Sequence, residues 1–217
     1  MSFRVHFDNW PFLNEHYLPD DGWGYNSFGY GNDLTFWQRV EFYYTCVLFI
    51  GKNRPNPTAR DMILINQDRH LGVKIQVLRE GDFGLKWLPS IAVGINDFDN
   101  DFFSSGSSGN DFFARLYAVA YKPLQTSVGG FGLHVGYHFN NWSYYKLYGP
   151  MAAVDWMPVW LQKEDVIKTK IIAEYDARTF NFGAIVSLWR DHFEVMIELQ
   201  AMKWVSAGFR FKTVLKS

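Results

Sequence analysis

Cysteine is nearly absent from this chain: Cys46 stands alone among 217 residues, which excludes an internal disulfide and a cysteine-built metal site. An excess of charge of one sign is missing too. Lys and Arg number 21 against 22 Asp and Glu, and the pI is about 6.6, so the basic footprint of a nucleic-acid binder is lacking and no nucleic-acid partner is expected. Long apolar runs are also absent. The strongest, Phe42 to Gly51 (FYYTCVLFIG), reaches about half of the ~20 residues a membrane-spanning helix needs. The opening MSFRVHFDNW has neither the apolar stretch nor the small-residue cleavage site of a secretory signal, which predicts a mature or trimmed form. The YYTC around Cys46 lacks the small residues of a lipid-attachment site, so no lipid anchor is expected.

Aromatic residues, by contrast, are abundant. They make up 19% of the chain, with 9 Trp, 12 Tyr and 20 Phe, while mean hydropathy stays at −0.17. Amphipathic rings in this quantity suit a membrane interface, and mildly negative hydropathy suits a wall in which only alternate residues meet lipid. A soluble, aromatic-rich, carbohydrate-binding β-sandwich is the alternative, because sugar sites also present exposed rings.

The pattern along the chain is period-2 alternation, the signature of strands with one apolar face. In SFRVHFD, Phe3, Val5 and Phe7 oppose Arg4, His6 and Asp8. Residues 9–33, rich in Gly, Pro and Asn, predict a long loop or plug-like segment. LTFWQRVEFYYTCVLFI, Leu34 to Ile50, alternates throughout and reads as one unusually long strand, with Thr35, Trp37, Arg39, Glu41, Tyr43 and Thr45 on its polar side. In LYAVAYKP, Tyr117, Val119 and Tyr121 oppose Ala118 and Ala120. FGLHVGYHF sets Phe131, Leu133, Val135, Tyr137 and Phe139 against Gly132, His134, Gly136 and His138. Segments from Met151, Lys168, Phe180, Phe193 and Lys203 continue the theme. A solvent-facing sheet surface would be dense in Lys and Glu, whereas these polar faces carry Gly, Ala, Ser and His with scattered charge. Small residues and paired charges describe a narrow barrel interior. The expectation is a single all-β domain over residues 1–217, an antiparallel, up-and-down transmembrane β-barrel of about 10–12 strands.

That reading places Arg39, Glu41, Lys168, Lys170, Glu174, Glu194, Glu198 and Arg210 in the lumen, where the cations are expected to meet the glutamates. His134 and His138 join them as polar lining. Four residues apart on a strand they are separated by ~13 Å, too far to share one metal ion, so no metal and no cofactor are expected. SSGSSG, residues 104–109, lacks the G-x-S-x-G nucleophile pattern, and with no nucleophile and base in register the chain is expected not to be an enzyme. Trp23, Trp142, Tyr144 and Tyr145 are candidates for stacking on sugar rings or for the interfacial aromatic girdle.

Five phrases carry a resemblance: NPTAR (Asn56 to Arg60), LPSIAVGINDF (Leu88 to Phe98), LYAVAYKPL (Leu116 to Leu124), GLHVGYHF (Gly132 to Phe139) and AEYDA (Ala173 to Ala177). In this order they resemble the YjbH family of bacterial outer-membrane β-barrel proteins associated with exopolysaccharide biosynthesis. The resemblance implies an outer-membrane location in a Gram-negative cell, contact with outer-membrane lipid, and an accessory or translocation role in polysaccharide production or export beside other proteins of that system. It supplies no catalytic residues. Separately, Gly208, Phe209 and Phe211 near the C-terminus resemble the last-strand signal read by the barrel-assembly machinery.

Overall fold

In the computed structural model the structure describes residues 1–8, 24–52, 64–97, 114–140, 148–163 and 166–213. Twelve strands follow one another: β1 (Ser2–Asp8), β2 (Gly24–Phe36), β3 (Val40–Lys52), β4 (Leu64–Leu78), β5 (Ser90–Asn96), β6 (Arg115–Thr126), β7 (Gly129–Phe139), β8 (Gly149–Pro158), β9 (Ile167–Tyr175), β10 (Phe180–Leu188), β11 (Phe193–Gln200) and β12 (Trp204–Lys212). Each pairs antiparallel with its sequence neighbours, and β1 pairs with β12 from Ser2 opposite Lys212 to Phe7 opposite Ala207, which closes the barrel. No described helix is long and apolar enough to cross a membrane.

The barrel is inside out relative to a soluble fold. Phe3, Phe42, Ile75, Val93, Leu133, Val135, Tyr137, Phe182, Val195 and Phe211 are exposed on the outer wall. Asn96, His138, Asp155, Asn181, Glu194 and Ser206 are buried. A sandwich would bury the first group between two sheets, so the single closed sheet rules out the soluble alternative.

Two expectations are corrected here. Leu34 to Ile50 is not one strand: residues 37–39 turn the chain back, and Phe36 pairs with Val40. Trp37 and Gln38 hold left-handed backbone (φ 48° and 56°) without the Gly or Asn that usually marks such a turn, so alternation runs unbroken through the bend. Likewise residues 24–33, expected in a loop, belong to β2. Gly31 there serves close strand packing, since a Cβ on it would stand 2.6 Å from the Tyr44 carbonyl oxygen and 3.2 Å from the Thr45 hydroxyl. Residues 9–23 lie outside the described residues.

At the rim where β1 begins and β12 ends lie the connections 37–39, 79–89, 127–128, 159–166 and 189–192, and four of these five present a strongly exposed aromatic side chain. Trp37 is 85% exposed and Trp189 66%. At the opposite rim the described turns 176–179 and 201–203 are as short as 37–39 and 189–192, and residues 53–63, 98–113 and 141–147 lie outside the described residues.

Strand β6 shows why polarity alone does not set side-chain direction. Its bulky residues Tyr117, Val119 and Tyr121 face inward, opposite lumen residues of β5 and β7, and Ala118 and Ala120 face out. The inward rings are accommodated by glycine. Tyr43 lies directly across from Gly72, and Tyr117 from Gly94; a Cβ on either glycine would fall within the facing ring. This is aromatic covering of a strand glycine, which pins register and lays the ring along the wall. Gly94→Ala should therefore destabilise the barrel by about 1–3 kcal/mol, measured by urea unfolding in micelles. Tyr117→Ala in the same chain should recover part of the loss, giving a coupling term of at least ~0.5 kcal/mol in a double-mutant cycle; additive losses would refute the ring-on-glycine account.

Candidate functional site

The lumen is built by the polar side of every strand. Arg4 and His6 come from β1, Glu41, Tyr43 and Thr45 from β3, and Lys74 from β4. Arg115 and Tyr117 come from β6, His134 and His138 from β7, Asp155 from β8, Lys170 and Glu174 from β9, Glu194 and Glu198 from β11, and Arg210 from β12. Burial in a narrow barrel makes unpaired charge costly, and the described charges are tied into local networks.

On one wall, Glu194 is the hub: Lys212 Nζ and Arg210 (3.5 Å) approach it, and Ser187 Oγ donates at 3.1 Å. Beside it Arg4 meets Asp33 at 3.4 Å and donates to Thr45 Oγ1 at 3.1 Å, and Asp33 also accepts from Ser2. On the far wall Asp155, 4% exposed, sits 2.7 Å from His134 Nε2 and 3.5 Å from Lys170 Nζ. The Tyr121 ring is 4.6 Å from that of His134. Asp155 fits because it faces Gly132; a Cβ there would fall on the carboxylate. A third group near the turn from β9 to β10 joins Glu174, Asn181 and Asp176, with Asn181 Nδ2 donating to Glu174 at 3.1 Å. Along the wall, over Gly72, the Tyr43 hydroxyl hydrogen-bonds Asn96.

These networks sort the residues anticipated from sequence. Glu41, His134, His138, Lys170, Glu174, Glu194, Glu198 and Arg210 belong to the lumen side of their strands. Of the expected cation–glutamate pairs Arg210–Glu194 forms. Glu41 pairs with Lys74 at 2.7 Å, Lys170 with Asp155, and Glu198 accepts from Ser206 at 3.4 Å. Arg39 is corrected: it sits in the 37–39 turn, where it meets Asp82 at 3.3 Å, whereas Lys168 keeps the lumen face at the end of β9, opposite Ser187, and meets Asp191 of the neighbouring turn at 2.5 Å. Charges at strand ends reach the turns next door more easily than the lumen centre. Trp23, Trp142, Tyr144 and Tyr145, like residues 104–109, lie outside the described residues. Among the described residues there is no group of three or more His, Cys, Asp or Glu arranged to hold a metal. Asp155, Arg4 and Arg115 were not singled out from sequence. Asp155 sits at an inward position of MAAVDWMPVWL, and alternation from its neighbours would have placed it there.

No family model and no curated protein matches this chain. Solved structures do. The KdgM porin aligns over 99% of this chain and 100% of its own, with a TM-score of 0.56 at 10% identity. LpxR from Salmonella typhimurium aligns over 98% and 100% respectively, with a TM-score of 0.49 at 9% identity. The chain thus has the closed antiparallel fold of outer-membrane β-barrel proteins. The expectation that the chain is not an enzyme is corrected: closed barrels of this kind are shared with enzymes, and the fold gives no ground for excluding catalysis.

Two outcomes test this geometry. Asp155→Asn leaves Lys170 and His134 facing a neutral amide and should cost about 1–3 kcal/mol in micellar urea unfolding, with Lys170→Met in the same chain returning part of it. At the rim, the Arg79 backbone N–H and the Arg39 guanidinium hold the Asp82 carboxyl below the usual carboxylate range. A depressed folded value stabilises above the unfolded value and is lost as pH falls through the folded one. The protection of the Arg79 amide, the slowing of its exchange relative to an unprotected amide at the same pH, should accordingly fall as pH drops through the folded value, and Asp82→Asn should flatten that dependence.

Proposed function

We propose that this protein works in the outer membrane of a Gram-negative cell in exopolysaccharide production or export, its lumen holding or conducting short glycan segments. One observation carries the reading. The lumen is not packed solid: a cavity of about 450 Å³ opens between the β1–β3 wall, β5–β6 and β11–β12, within the range of small-molecule sites. It persists because the Tyr43 and Tyr117 rings lie along the wall over Gly72 and Gly94. Polar groups with aromatic faces beside them, as Thr45, Asn96 and Tyr117 provide, suit hydroxyl-rich rings.

Three further points agree with it. The YjbH-like phrases link the chain to exopolysaccharide systems. Trp37, Trp87, Trp160 and Trp189, exposed along one rim, suit the aromatic belt of a membrane interface. Gly208, Phe209 and Phe211 lie on β12, the strand that closes the barrel, where the barrel-assembly machinery would read them. The outward apolar wall meets outer-membrane lipid.

Proteoliposomes carrying the refolded protein should swell several-fold faster than empty liposomes in isotonic short oligosaccharides, and cells lacking the protein should secrete less polysaccharide. Unchanged secretion together with no swelling and no glycan binding would overturn the reading.

A further inference from the structure

Charge in the lumen is not spread evenly. The cavity just described is lined by Arg4, Arg115 and Arg210, from three separate strands, against one lining carboxylate, Glu41, which is engaged by Lys74 at 2.7 Å. The acids Glu174 and Glu198 line an adjoining cavity of about 140 Å³ that shares His6 and Met196 with the first, and Arg115 reaches Glu174 and Asp176 only through a further cavity beside His134 and His138. The arginines' own partners are shared. Asp33 stands 3.4 Å from Arg4 and also takes Ser2, while Glu194 stands 3.5 Å from Arg210 and is taken more closely by Lys212. The Nε atoms of Arg4 and Arg210 are buried and make no hydrogen bond in the protein. Arg115 is aligned by the Tyr117 ring, its guanidinium carbon 5.7 Å from the ring centroid. Guanidinium forks match carboxylates bidentately, and arginine-lined constrictions select anions.

We infer that this chamber is a subsite for a carboxylate-bearing sugar residue, with Arg4, Arg115 and Arg210 reading the carboxylate and Tyr117 and Met196 bordering the ring. The inference rests on the glycan role proposed above and narrows it to acidic glycans. Thr45 and Asn96, on the same cavity, supply hydroxyl partners that a simple inorganic anion would not need.

The test is calorimetric titration of the micelle-refolded barrel with a glucuronate-containing tetrasaccharide and with its carboxyl-reduced, neutral counterpart, at low salt and again at 0.5 M salt, a concentration on the order of that at which exposed charges are screened within a few ångströms. The acidic ligand should bind at least tenfold more tightly at low salt, and the gap should shrink at high salt. Arg115→Gln should bring acidic binding down to the neutral level, and Arg115→Lys should restore part of it; heat-shifted gel mobility checks that each variant is closed. Equal binding of the two ligands overturns the acidic subsite and leaves the glycan role standing. Binding of neither overturns both. A preference for the acid that survives both Arg4→Gln and Arg115→Gln in closed barrels overturns the placement in this chamber.

Discussion

The hydrogen bonding of β1 to β12 is the constraint on which the rest depends. In hydrocarbon no water is present to satisfy a free strand edge, so a sheet crosses a membrane only as a closed cylinder. Here closure joins the first strand to the last through an antiparallel register of six residue pairs, Ser2–Lys212 to Phe7–Ala207. Once that ladder is shut, every strand has two neighbours and two faces, and the period-2 alternation becomes a partition between lipid and lumen. Phe3 and Phe211 go out, and Arg4 and Arg210 go in, for the same geometric reason.

Closure also imposes a cost inside. Polar side chains forced into a narrow bore lose water, and each must find a partner or a wet space. The chain meets this with glycine. Gly72, Gly94 and Gly132 give up their side chains so that Tyr43, Tyr117 and Asp155 can occupy the room, which keeps large groups against the wall rather than across the bore. The ion pairs then form between strands close in space, as Glu41–Lys74 on β3 and β4 and Glu194–Arg210 on β11 and β12 show. The described residues thus divide the lumen into linked networks and residual cavities.

Much of this was readable from sequence, and the reasons are specific. The barrel class followed from polar faces too poor in Lys and Glu to be solvent surfaces, and the outward set of β7 was correct to the residue. The β2–β3 turn was invisible because Trp37 and Gln38 carry left-handed backbone that glycine or asparagine would have advertised. The inward turn of Tyr117 and Tyr121 was hidden because hydrophobicity, used as the sign of the lipid face, misreads rings that sit on glycine. Ion-pair partners were legible only in kind. Alternation gives the face of a charge, but its neighbour depends on the register between strands, and that put Asp155 rather than a glutamate beside Lys170.

Register also explains how function can be built into such a frame with few residues. Arg4, Arg115 and Arg210 are far apart in sequence, yet each needs only an inward position on its own strand for the ring of twelve to bring them to one cavity. The strands fix that position through backbone bonds that do not depend on which side chain stands there. A lumen residue can therefore change its chemistry at the cost of its local network alone, provided the facing glycine and the paired charge change with it. The polarity of the chamber is thus set by side-chain choices at inward positions, while membrane insertion is set by the outward ones, and the two requirements share a backbone without competing for the same residues.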